Sequence, residues 1–156
     1  ADTWQSTQGD FLWLKDGARV GNLNLYDLDD CRMLMEIKSS ATAAELRSIN
    51  ETANNLKQHY TGESLIIVGM FCYGTSASEK TVLRKFGFTY DREIEGYNAY
   101  DQAKDRMRNV DFLFSLNISN GRDESTLPYL VVRDYSGSCT LYKDNPVIRY
   151  FLNYFR

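Results

Sequence analysis

Residues 64–97, SLIIVGMFCYGTSASEKTVLRKFGFTYDREIEGY, constrain the fold more than any other stretch of the chain. Residues 65–68 are an unbroken apolar run, Leu-Ile-Ile-Val, which leaves no wet face and predicts a strand covered on both sides of a sheet. Residues 69–74 carry that strand to a turn, where Thr75 or Ser76 offers a helix cap. A helix over 78–86 follows, with Val82, Leu83 and Phe86 on one stripe and Lys80, Arg84 and Lys85 turned to water. Gly87 supplies the left-handed exit that helices favour, and Phe88 opens another strand. A strand, helix, strand unit of this kind commits the chain to a mixed α and β architecture.

The flanking sequence extends that unit on both sides. Residues 1–10 read as a polar arm. Residues 11–14 and 20–26, separated by Asp16-Gly17, read as a hairpin, and 33–38 as its third strand, giving an antiparallel meander. A helix is predicted over 43–60: Leu46, Ile49, Ala53 and Leu56 recur at its period, and Thr42 with Glu45 has the spacing of a capping box. Beyond the central unit, 88–100 reads as a strand, 101–108 as a polar loop or solvated turn, and 110–118 as a last long strand. After a turn-rich link at 120–125, residues 129–133 and 139–143 form a second hairpin, and Asp144-Asn145-Pro146 starts a final helix. That helix is apolar around most of its girth, so it must be covered by the domain, a second subunit or a partner, and Tyr150, Phe151, Tyr154 and Phe155 are its candidate contact residues. The expectation is one α+β domain: a mixed, mostly antiparallel twisted sheet flanked by helices. It comprises an arm (1–10), a core (11–119) and a C-terminal hairpin with an aromatic helix (120–156), packed on the core or a partner.

Composition narrows the function classes. The chain of 156 residues has a formal net charge of -3, which gives no electrostatic footprint for nucleic acid. No apolar run reaches membrane-spanning length and no signal peptide opens the sequence, so a cytoplasmic or virion location is expected, and no membrane. Cys31, Cys72 and Cys139 are odd in number and lack metal-ligand spacing, which predicts buried free thiols and no metal. His59 stands alone near a helix end, so a Ser-His-Asp or Cys-His site has no support.

Leu83-Arg84-Lys85-Phe86-Gly87-Phe88 resembles the closing motif of the GNAT acetyltransferase fold, L-Y-x-K-x-G-F, after a buried strand and a short helix. The likeness covers roughly residues 11–117, over which elements of the right kind follow in the right order. It implies three catalytic devices that can be tested position by position. The family's Gly-rich turn before the long helix, which holds the coenzyme A pyrophosphate, corresponds to residues 38–44, KSSATAA, without a glycine. The family's proton-donating tyrosine falls on Leu83, which has no proton to give, and Tyr73 and Tyr90 are the nearby substitutes, with a packing aromatic as the plain alternative for each. Glu36 is the carboxylate placed to act as base, with a solvent-facing position on the pleat as the plain alternative.

The resemblance thus implies a degenerate member of the fold, similar to the GNAT-like virion proteins of short-tailed phages. The expected function is that of a non-catalytic structural or interaction protein, a phage virion component, without cofactor, binding a protein partner or itself through the C-terminal helix. The alternative is a divergent N-acetyltransferase using acetyl-CoA. Its catalytic residues would be Glu36 and Tyr73, and its cofactor would lie on Ile37, Ser39, Ala41, Thr42, Ala43 and Ser76, where the family's two central strands splay.

Overall fold

A computed structural model describes residues 11–14, 18–20, 23–25, 31–61, 65–117, 127–143 and 146–154. The elements in order are β1 (Phe11–Leu14), β2 (Ala18–Val20), β3 (Leu23–Leu25), β4 (Cys31–Lys38), α1 (Ala43–His59), β5 (Ile67–Cys72), α2 (Glu79–Lys85), β6 (Phe86–Asp91), β7 (Gly96–Asp105), β8 (Phe112–Ser115), β9 (Tyr129–Arg133), β10 (Cys139–Lys143) and α3 (Val147–Tyr154). The fold is α+β. A six-stranded sheet has the order β1-β4-β5-β8-β9-β10, and β2-β3 and β6-β7 form separate two-stranded ladders. β4, β5 and β8 are parallel to one another, and every other pairing is antiparallel. Parallel neighbours need a crossover, which α1 provides between β4 and β5, and α2 with the β6-β7 ribbon between β5 and β8.

Helix α1 begins as its sequence predicts. The Glu45 amide donates to Thr42 Oγ1 at 3.1 Å and the Thr42 amide to Glu45 Oε2 at 2.7 Å, which completes the capping box. Helix α2 is capped by Ser78, whose Oγ accepts from the Thr81 amide at 3.3 Å, and not by Thr75 or Ser76. Those two residues belong to the loop instead, with Thr75 Oγ1 donating to the Ala77 carbonyl at 2.6 Å. Gly87 takes the left-handed conformation at φ 82.

Three strand assignments differ from the sequence expectation. Instead of a meander, β1 pairs directly with β4 while, among the described residues, β2 and β3 pair with each other alone, Val20 opposite Leu23. The turn expected at Asp16-Gly17 lies outside the described residues. The single strand expected over 88–100 is a hairpin, with Glu95 at φ 48 just before β7. β7 then runs on to Asp105, through the first part of the 101–108 stretch expected to form a loop, because a ribbon with one wet face accommodates charges in a strand, and 106–108 leave the strand as expected. Finally, β8 is only four residues long, held between a turn in which the Val110 amide bonds to the Met107 carbonyl and Asn117 at φ 53.

The sheet separates two cores of unequal size. On one face, Leu34, Val68, Met70, Leu113 and Val131 pack under α1, α2 and β6. On the other, Met33, Phe112, Phe114 and Leu130 pack under α3 through Val147 and Phe151. β9 contributes to both, so the C-terminal hairpin extends the sheet and shares its core. β5 and β8 approach closely at Gly69, where a Cβ would stand 2.3 Å from the Phe112 ring.

Two charged clusters pin the crossovers. Asp111 accepts from Lys57 Nζ at 2.7 Å and from the Val68 amide at 2.8 Å, tying α1 to β5. Arg133, almost wholly buried, meets the Asp105 carboxylate at 2.7 Å and donates to the carbonyls of Val110, Met107 and Gly137. All three cysteines are free and buried.

Candidate functional site

The place where the GNAT-like pattern would put its cofactor is the C-terminal end of β4 and β5 together with the N-terminus of α1. The two strands are hydrogen-bonded in register from Met33 opposite Ile67 to Lys38 opposite Cys72. Pairing continues past the strand ends. The Tyr73 amide bonds to the Lys38 carbonyl at 3.0 Å, Ala41 to Gly74 at 2.9 Å and Ser76 to Ala41 at 2.9 Å, with a parallel bridge between Ala41 and Thr75. The strands do not splay here, and the backbone groups that a pantetheine arm would engage are bonded to each other.

The helix end beside them is also occupied. The Glu45 side chain sits on the first turn of α1, and the hydrogen bond from the Thr42 backbone amide holds its carboxyl below the usual range, so it is ionised at neutral pH. That carboxylate already satisfies the partial positive charge of the helix N-terminus and repels a second anion. Of the proposed cofactor residues, Ala41 is fully buried, Ala43 is half-buried, and Ser39, Thr42 and Ser76 are exposed. Ile37 projects from the opposite face of the sheet, since it pairs with Phe71 of the α3-side core.

Glu36 and Tyr73 do not share a site. Glu36 is not on a solvent-facing side of the pleat: it is 1% exposed, registers with Met70 of the α1-side core, and lies 3.8 Å from Lys38 Nζ. Tyr73 is half exposed and packs edge-on against Phe71, at 5.6 Å between centroids, on the α3 side. The sheet stands between the two side chains, so a base at one and an acid at the other cannot serve a single reacting centre.

The candidate contact residues of α3 divide. Phe151 is turned inward onto Phe114, Phe112 and Phe71, with centroids at 4.5, 5.6 and 6.2 Å. Tyr150 stacks on Tyr142 at 4.8 Å and stays half exposed, and Ile148 and Leu152 are exposed beside it. The side chain of Tyr154 and all of Phe155 lie outside the described residues. Through Phe151, Phe71 and Tyr73 the helix continues into the apolar edge at Ile37, which gives this face a partly exposed aromatic surface.

A different concavity escaped the sequence reading. Arg84, Lys85 and Tyr90, together with residues of β7, line a cleft between α2 and the β6-β7 ribbon. The pattern showed only a solvated helix face there, because the hairpin that brings β7 alongside was read as one strand. No family model, characterised protein or solved structure matches the chain. Among the described residues, no helix is long and apolar enough to cross a membrane.

Proposed function

We propose that the chain is a non-catalytic structural or interaction protein on a degenerate GNAT-like scaffold. By likeness to the glycine-poor virion proteins of short-tailed phages, it would be a virion component. One observation carries this reading: the closed ladder from Met33–Ile67 to Ser76–Ala41 fills the place where the acetyltransferase pattern needs an open cleft. The Glu45 carboxylate at the α1 N-terminus and the separation of Glu36 from Tyr73 by the sheet favour the same conclusion. The contact surface is α3 with the neighbouring edge, where Ile148, Tyr150 and Leu152 face outward beside Tyr73 and Ile37. Large apolar side chains grouped on one face are what protein contacts use, with tyrosine adding a polar tip.

Calorimetry with acetyl-CoA tests the non-catalytic reading. No saturable heat at the α1 end of the sheet is expected. Micromolar binding that Ala43→Trp abolishes would replace it with the acetyltransferase alternative. Light scattering tests the surface: the triple change Ile148→Ser, Tyr150→Ser and Leu152→Ser should reduce association with itself or its partner. Unchanged assembly with the fold intact would remove α3 as the interface.

A further inference from the structure

Between the last turn of α2 and the β6-β7 ribbon lies a cleft of about 720 Å³, of the size that holds a small molecule. Four cations, Arg84, Lys85, Lys104 and Arg106, line it together with Tyr90 and Tyr97, and among the described residues no carboxylate does. In a chain of net charge -3 this is a local reversal of sign. Among the described residues, Arg84, Lys85 and Arg106 take part in no ion pair, and Lys104 meets only the partly exposed Asp101, at 3.2 Å.

The backbone brings these residues together. Thr81, Arg84 and Lys85 share one face of α2. The Arg106 amide donates to the Lys85 carbonyl at 2.8 Å, which sets the two cations side by side. Asp105 points inward to Arg133, while Lys104 and Arg106 on either side of it line the cleft. Gly87 at φ 82 lets β7 come close, since a Cβ there would stand 2.7 Å from the Asp101 carbonyl oxygen. The aromatic wall is a cross-strand pair, Tyr90 opposite Tyr97 and edge-on to it at 5.4 Å, with Tyr90 53% exposed and its ring available for stacking.

We propose that this cleft binds a nucleoside di- or triphosphate. The cations take the phosphates, for which guanidinium groups offer paired donors, and the Tyr90 ring stacks the base. Neither half of the ligand alone engages both walls.

Calorimetric titration of the full chain with ADP and ATP, with adenosine, tripolyphosphate and an eight-residue oligothymidylate in parallel, tests this. Saturable nucleotide binding is expected, with adenosine and tripolyphosphate each weaker by about tenfold or more, the loss of one stacking contact or of the charge contacts. The double change Arg84→Ala with Arg106→Ala should weaken ATP by at least about tenfold. Tyr90→Ala should do the same while Tyr90→Phe retains binding, because the ring stacks and its hydroxyl does not. Ala43→Trp should leave ATP binding unchanged, which separates this cleft from the α1 end of the sheet. Amide shift mapping on the unmodified chain should centre on residues 84–90 and 97–106, and it decides the matter without any variant. Three results would overturn the proposal: no binding at millimolar nucleotide, tripolyphosphate as tight as ATP, or shifts centred elsewhere. An oligonucleotide binding more than about tenfold tighter than ATP would replace it with an extended nucleic-acid surface.

Discussion

At the scale of single residues, Gly69 and the Arg133 cluster show how tightly the interior is specified. Gly69 was legible only as the first residue of the passage from the strand to a turn. Its reason is the Phe112 ring of the adjacent parallel strand, which occupies the space a side chain would need. Because Phe112 is fully buried and cannot swing to water, Gly69→Ala should destabilise the fold by about 1–3 kcal/mol in urea titration. The cluster around Arg133 predicts a pH effect. Burial is the largest cause that pushes the Cys139 thiol up from 9.0 to about 12 and the Tyr100 hydroxyl up from 10.0 to about 12, and the Cys72 thiol rises to about 11 for the same reason. These groups keep their protons longer in the folded chain than in the unfolded one. Their contribution to stability is therefore complete below pH 9.0, the ordinary value of a thiol, and drains away as pH rises to about 12. Equilibrium unfolding measured at intervals from pH 8 to pH 11 should show a falling midpoint, and Cys139→Ser should flatten part of the fall.

At the scale of elements, legibility tracked how local the determining interaction is. The start of α1 could be read because both halves of its capping box lie within four residues, and Thr42→Ala should cost about 1 kcal/mol in thermal or urea unfolding. Glu45 adds a pH signature. Its carboxyl is held below 4.5, so its share of the cap is present at neutral pH and disappears as pH falls through that lowered value. Glu45→Gln should remove that acid dependence. The β6-β7 hairpin was missed for the opposite reason. Its reversal at residues 92–95 contains Glu95 in a left-handed conformation, which the sequence marks only by the following Gly96. The cationic cleft went with it, since Lys104 and Arg106 reach Lys85 only once that reversal is drawn. Helix α3 was foreseen as apolar around its girth, yet which side is covered depends on Phe112 and Phe114, far away in the chain.

For the whole molecule, the order of the sheet explains where stability concentrates. The parallel trio β4, β5 and β8 is central and covered on both faces, whereas β2-β3 forms a separate two-stranded ladder and, among the described residues, α3 covers its face of the main sheet through Val147 and Phe151, with Tyr150 on Tyr142. Native-state hydrogen exchange should rank the amides of β5 and β8 slowest, with those of α3 and β2-β3 among the fastest. Equal protection throughout would mean that the smaller core is as cooperative as the larger one. Sequence alone conveyed the mixture of elements and the existence of a buried central strand, because those rest on local runs of apolar residues, but it set that strand too early: β5 is Ile67–Cys72, and Leu65 lies before it, 72% exposed. It could not convey which strands neighbour each other, and the closed seam between β4 and β5, on which the functional reading rests, exists only in that pairing.

The three sequestered thiols have a practical corollary. At the tip between β9 and β10, Tyr135 is almost fully exposed in a turn fastened by the Asp134 carboxylate to Ser136 and Ser138. A cysteine introduced there would be the one accessible thiol, so a single fluorophore or spin label could report on docking at neutral pH with the native cysteines left in place.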